Sequence, residues 1–264
     1  QLADLDAYDT VEIINCGGLS YGSHRLVLVA AEILGYEPDL VLIYSGHNEF
    51  EEVEQLRLAH VRMAPVQRML AHSALYRFIR DRIAERRIAN IEEARNQRML
   101  AESIPDTSRT WNYTFSNEEI VARMAAYRSN LAAIITMCLD NGVQVVIGTV
   151  PSNLMRPNLP GEAGERYEHV LRLFEQGMYQ TGVEKAQEIL RNAMRHQASD
   201  AENAIIRNLA EEYDIPLAEV EEAVTQAEPH HVPGETLFAD HCHLNEQGNR
   251  ILAEVYERTI RGLL

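Results

Sequence analysis

Two short apolar runs constrain this chain most, Leu40-Val-Leu-Ile-Tyr44 and Val143-Gln-Val-Val-Ile147, each followed by a polar loop. Runs of this length, rich in β-branched residues and closed by turn residues, have the pattern of strands buried on both faces of a parallel sheet. Parallel strands need crossover helices, and the intervening sequence supplies them. Between 23 and 35 the apolar residues Leu26, Val29, Ala30 and Ile33 follow helical spacing, with Gly35 as the stop. Before them, Val11-Glu-Ile-Ile-Asn15 reads as a further short buried strand ended by Cys-Gly-Gly, so 11–44 forms a βαβ unit with a right-handed crossover. Asn117, as N-cap, opens a helix through Ile120, Met124, Tyr127, Leu131 and Ile135 to Asn141-Gly142. Residues 201–213 read as a helix, 215–220 as a fourth strand, 221–238 as an irregular loop and 246–263 as a closing helix with Ile251, Leu252, Val255 and Ile260 inward.

Two stretches depart from this alternation. Residues 51–100 are Arg-rich helical sequence, followed by a loop over 101–116 that carries the lone Trp111. Residues 162–197 have the pattern of a helical hairpin, whose centre, Phe174 to Ala186, resembles one tetratricopeptide-type helix pair. One copy cannot form a solenoid, so it reads as an insertion packed on the domain over its ligand face. No linker separates two cores, which predicts a single domain over 1–264.

The charge balance, 40 acidic against 24 basic residues, gives −16 and repels phosphate backbones and anionic surfaces, so no nucleic-acid partner is expected. Cys16, Cys138 and Cys242 are odd in number and widely spaced, which forms neither a disulfide framework nor a CxxC metal pattern. No run reaches the roughly 20 apolar residues of a membrane span, and no signal peptide opens the chain. The chain starts at Gln1, and residues 1–10 read as the tail of a helix entering a loop, which suggests a severed N-terminus. An extracytoplasmic or membrane-tethered location would fit a lost anchor.

The chemistry concentrates at Phe238-Ala-Asp-His-Cys-His-Leu-Asn245. Asp240 and His243, three residues apart on a tight turn or a first helical turn, can hydrogen-bond. An Asp that accepts Nδ1–H fixes the imidazole tautomer and leaves Nε2 as a general base, two thirds of a Ser-His-Asp triad. The bland alternative is that both residues cap the last helix. A metal site is the other alternative, since His230, His231, Asp240, His241, Cys242 and His243 crowd together, but the spacing fits no tetrahedral zinc pattern and no metal is expected. At the end of the 40–44 strand, Asn48 of Gly46-His-Asn-Glu49 is either a turn residue or a side-chain donor to an oxyanion. His47 reads as a loop-stabilising residue and Glu49 as a cap for the helix that follows.

Taken in order, Asn15-Cys-Gly-Gly-Leu-Ser20, Gly46-His-Asn-Glu49 and Asp240-x-x-His243 resemble the second, third and fifth sequence blocks of the SGNH (GDSL-type) hydrolases. The likeness is to bacterial members with a GHNE third block and tetratricopeptide-like segments. It implies an α/β fold, a three-layer α/β/α flavodoxin-like sheet of parallel strands, and a cofactor-free serine esterase acting on a small-molecule or carbohydrate acyl ester. In that pattern Asn48 is the oxyanion-hole Asn, His243 the base and Asp240 its orienting acid. The second-block oxyanion Gly falls on Ser20, where the donor is a backbone N–H, with Gly18 and Gly22 as neighbouring candidates. The first block, a strand followed by Gly-x-Ser, has no counterpart here, and Ser20, Ser23, Ser45 and Ser152 follow no such turn. The expectation is therefore a first strand and a nucleophile upstream of Gln1. The rivals are an O-acyltransferase of the same fold and a non-catalytic module that docks a protein on the hairpin.

Overall fold

A computed structural model describes residues 11–52, 115–159, 161–234 and 236–263. Among the described residues three strands, β1 (Leu40–Ile43), β2 (Gln144–Gly148) and β3 (Leu217–Ala218), lie in the order β1-β2-β3. All pairs are parallel, with Leu40 opposite Gln144 and Ile147 opposite Leu217. Around them run α1 (Ser23–Ile33), α2 (Asn117–Asp140), α3 (Gly161–Glu175), α4 (Tyr179–Arg191), α5 (Asp200–Glu212), α6 (Val220–Ala227) and α7 (Glu246–Arg261). All described residues fall in one compact unit of the chain.

The central strand shows why the sheet forms. Val145 and Ile147 point into one core with Tyr127, Leu131 and Ile135 of α2 and Ile206 and Leu209 of α5. Val146, between them, points the other way into a second core with Val220 and Val224 of α6 and Val255 and Ile260 of α7. A strand with period-2 side chains is thus covered by helices on both faces, and each fully buried Val or Ile contributes roughly 1.5–3 kcal/mol. The outcome is a mixed α/β arrangement with a small parallel sheet and mostly helices.

Several expectations need correction. Residues 11–15 form no strand, and Val11, Ile13 and Ile14 are 43%, 75% and 55% exposed. A β-branched run becomes a strand only beside a partner edge, and among the described residues β1 pairs with β2 alone. The 11–44 βαβ unit is therefore not formed, whereas the strand expected over 215–220 is present in part as β3. For the same reason β1 is not buried on both faces, and Leu42 is 46% exposed. The α1 helix passes into a 3₁₀ turn, Leu34–Tyr36, that contains Gly35, and the left-handed residue that turns the chain is Glu37. Ser116 rather than Asn117 caps α2, in a reciprocal capping box with Glu119. The stretch 221–238 is not irregular throughout: α6 occupies most of its first half, with acidic Glu221 and Glu222 in its first turn. Residues 1–10, the helical sequence from 53 onward and Trp111 lie outside the described residues.

The helical hairpin over 162–197 is present as α3 and α4, turned at Gly177, whose φ is +74°. Tyr167, Val170 and Phe174 of α3 meet Ala186, Ile189 and Leu190 of α4. The same cluster takes in Leu154 and Leu159, from the loop after β2, and Val232. The hairpin thus packs on segments that leave the carboxyl side of the sheet. Among the described residues no helix is long and apolar enough to cross a membrane.

Candidate active site

The loop 238–245 is a tight reversal. Phe238 and Leu244 form an antiparallel bridge, the Ala239 N–H donates to the His243 carbonyl at 2.8 Å, and the Asn245 N–H donates to the Leu237 carbonyl at 2.9 Å. Asn245 then caps α7, its side chain accepting from the N–H groups of Gln247 and Gly248. The capping alternative for Asp240 and His243 is thereby ruled out, because the cap is a different residue.

Within the turn, Asp240 Oδ1 accepts the backbone N–H of Cys242 at 2.8 Å and of His243 at 2.7 Å, which leaves Oδ2 to hold His243 Nδ1 at 2.7 Å. This geometry fixes the proton on Nδ1 and leaves Nε2 as the basic nitrogen. Burial alone would raise the Asp240 carboxyl, but the backbone N–H groups of His243 and Cys242 and the His243 ring outweigh it and bring it down to about 2. The pair is not deeply buried: the side chains of His243 and Asp240 are 75% and 43% exposed. Asn153, which the sequence reading passed over, clamps the turn from the loop after β2. Its N–H donates to the His241 carbonyl at 3.1 Å and its Nδ2 to the Asp240 carbonyl at 2.9 Å. Only its place after a predicted strand could have flagged it.

A carboxylate lowered in the folded chain adds stability above its ordinary value near 3.9 and loses it as pH falls through the folded value. The hydrogen-bonded pair therefore persists through neutral and mildly acid solution and is lost only towards pH about 2. A carboxyl ¹³C titration of Asp240 should show a midpoint of about 2 that rises in His243→Ala. An ordinary midpoint that ignores the substitution would contradict the geometry.

The loops after β1 and before α1 come together beside this turn. Asn48 Nδ2 donates to the Tyr21 carbonyl at 3.2 Å. Ser20 is buried and adopts φ +58°, a left-handed conformation that favours glycine. Its hydroxyl donates to Glu51 Oε1 at 2.5 Å, and the Glu51 charge acts in turn on His241 and Cys242. His47 feels the charges of His241, His243 and Asp240. Burial brings it down to about 3, so it is neutral. Its Nδ1 accepts the Ala198 N–H at 3.1 Å, which ties the loop to the segment before α5.

Glu49 does not cap the helix that starts at its own position. It is fully buried and reaches back to α1, accepting from the Ser23 N–H at 2.7 Å and the Ser23 hydroxyl at 2.8 Å, and it pairs with Arg123 of α2. Glu52 adds acceptors for the His24 and Arg25 N–H groups at 3.1 and 2.9 Å. Gly22 is required beside it, since a Cβ there would lie 2.5 Å from Glu52 Oε2.

Three of the four serines weighed as internal nucleophiles are turned elsewhere. Ser20 donates to Glu51, Ser23 to Glu49, and Ser152 to the Ala198 carbonyl at 2.7 Å. Among the described residues no hydrogen bond joins His243 to a serine. Of the crowded metal-ligand candidates, Asp240, Cys242 and His243 converge, whereas the His230 ring stacks on Tyr179 of α4. A separate cleft of about 620 Å³, bordered by Val183, Asp200, Arg207 and Glu222, is lined by none of Ser20, Asn48, Asp240 and His243.

Fold and site together define a parallel α/β chain that displays an Asp-held histidine beside the loops leaving its strands. No protein-family model matches the chain, and no curated protein sequence does. Among solved structures it is similar to a GDSL-like lipase from Bacteroides thetaiotaomicron, at 12% identity and a TM-score of 0.46, over 93% of this chain and 73% of that one. It is also similar to an acetyl xylan esterase, at 13% identity and 0.46, over 94% and 80%. A catalytic mutant of an acetylxylan esterase from Geobacillus stearothermophilus gives 14% and 0.43, over 94% and 71%. Likeness of this degree transfers no activity to the present chain.

Proposed function

We propose that the chain is the body of an SGNH-type serine esterase, a single flavodoxin-like α/β/α domain with a helical insertion over 162–197. It would act on a small-molecule or carbohydrate acyl ester. The observation that carries the reading is the 2.7 Å hydrogen bond from His243 Nδ1 to Asp240 Oδ2, made by an imidazole whose other side is open to solvent. The left-handed backbone at Ser20 supports the register in which its N–H stands where the family has glycine.

In the proposed cycle a serine hydroxyl attacks the ester carbonyl and passes its proton to His243 Nε2, while Asp240 stabilises the imidazolium. The Asn48 amide and the Ser20 N–H donate to the tetrahedral oxyanion. His243 then protonates the leaving alkoxide, and water repeats the sequence on the acyl-enzyme. The serine is proposed to enter on a strand that pairs with the edge of β1 away from β2, which has no partner strand among the described residues and where Leu42 is exposed.

A fluorophosphonate probe tests this directly. The 264-residue chain is expected to stay unlabelled and to leave a p-nitrophenyl ester intact, while a longer chain with a Gly-x-Ser strand is labelled on that serine. Labelling of Ser20, Ser23, Ser45 or Ser152 would place the nucleophile inside the 264 residues instead. Failure of both chains to label would overturn the esterase reading.

A further inference from the structure

Beyond ester hydrolysis, the turn that holds the pair adds a donor which hydrolysis does not use, the Cys242 sulfur. Cys242 Sγ, His243 Nδ1 and an Asp240 carboxylate oxygen all lie within 4.8 Å of one another. Zinc bond lengths of about 2.3 Å to sulfur and about 2.1 Å to nitrogen place the two donors of a tetrahedral site about 3.6 Å apart. Cys242 Sγ and His243 Nδ1 are 3.6 Å apart already. The carboxylate oxygen, at 2.7 Å from Nδ1, has to open by well under 1 Å. Asp240 is held for this by the two backbone N–H groups on its other oxygen, an outer shell of the kind that orients metal ligands. The His243 side chain, 75% exposed, provides an entry path.

The geometry points to a low-coordination site for a borderline-soft divalent cation, of which zinc is the type, formed by Asp240, Cys242 and His243. Sulfur and imidazole donors select zinc or cobalt over magnesium and calcium, which take oxygen shells. On binding, the Cys242 thiol releases its proton to solvent, and the Nδ1 proton of His243 moves, through solvent, to Nε2. Burial first and the Asp240 charge second push that thiol up, and a cation between the two offsets both effects. Because the metal takes Nδ1 away from Asp240, occupancy and general-base catalysis exclude each other. The ion acts as an inhibitor, and the consequence for catalysis alone rests on the esterase reading.

Binding is read without turnover, by titrating the chain with Co²⁺. A thiolate-to-cobalt charge-transfer band in the near ultraviolet, with visible bands of tetrahedral strength, is expected at one equivalent and is discharged by one equivalent of Zn²⁺. Cys242→Ser abolishes the charge-transfer band, whereas Cys16→Ser and Cys138→Ser keep it. His243→Ala, at an exposed side chain where folding is unaffected, weakens binding by at least about tenfold. A chain with no such band, a band that survives Cys242→Ser, or unchanged affinity in His243→Ala would each overturn the site. A failed esterase assay would leave these results standing, and a failed cobalt titration would leave the esterase reading standing.

Discussion

His243→Ala, made in a chain that carries the nucleophile, lowers kcat/KM toward a p-nitrophenyl ester by about 10⁴-fold or more. The size follows from the work assigned to one nitrogen: Nε2 accepts the serine proton in one half of the cycle and returns it to the leaving group, so its loss removes both proton transfers. The side chain is 75% exposed, so the loss should come without unfolding, and the melting temperature serves as the control. Added imidazole should restore part of the rate in His243→Ala and none in a nucleophile variant, which separates a missing base from a disturbed fold. Asp240→Asn should cost less, on the order of 10²- to 10⁴-fold, because an amide can donate to Nδ1 and invert the tautomer. The lower end fits a carboxylate that is 43% exposed, where water takes over part of its task. Since Asp240 stays ionised down to about 2, the acid limb of the pH–rate profile does not belong to this carboxyl. Unchanged activity in His243→Ala would sink the proposed mechanism.

What was legible in the sequence was local. The runs that became β1 and β2 were readable because apolar strands closed by turns need only a few residues to declare themselves, and Asp240 and His243 were readable because three residues separate them. Long-range effects decided the rest. The 11–15 segment has strand composition, but composition does not supply a neighbour, and without one its side chains remain exposed. Helix α6 is only eight residues long and follows directly on β3, so its period was lost in a stretch with two prolines and two histidines. The left-handed backbone of Ser20 cannot be read from a serine at all. Least visible was the Glu49 arrangement, because its partners Ser23 and Arg123 lie 26 and 74 residues away along the chain.

That arrangement carries the largest expected stability effect: Glu49→Ala should destabilise the fold by about 3 kcal/mol, read as a lower urea midpoint at unchanged slope. Two costs add. The Ser23 N–H at the start of α1 and the Ser23 hydroxyl lose their acceptor inside the protein. Arg123, only 9% exposed, loses the carboxylate that balances it, and removing one partner of a buried pair costs more than the pair contributes. Glu52 softens the second cost, since its carboxylate stays 3.7 Å from the guanidinium, which places the estimate at the low end of the range for broken buried pairs. Arg123→Met in the Glu49→Ala background should recover part of the loss, because it removes the orphaned charge. The same lock holds the 20–23 turn against the Asn48 loop, since Glu49 is the neighbour of Asn48, and Asn48 donates to the carbonyl of Tyr21 beside Ser20. In a serine-bearing chain the variant should therefore also lose rate, with kcat falling more than KM rises, because an oxyanion hole out of register acts only in the transition state. A shift below about 1 kcal/mol, or full recovery of stability by Glu49→Gln without recovery of rate, would show that Glu49 does not link the two.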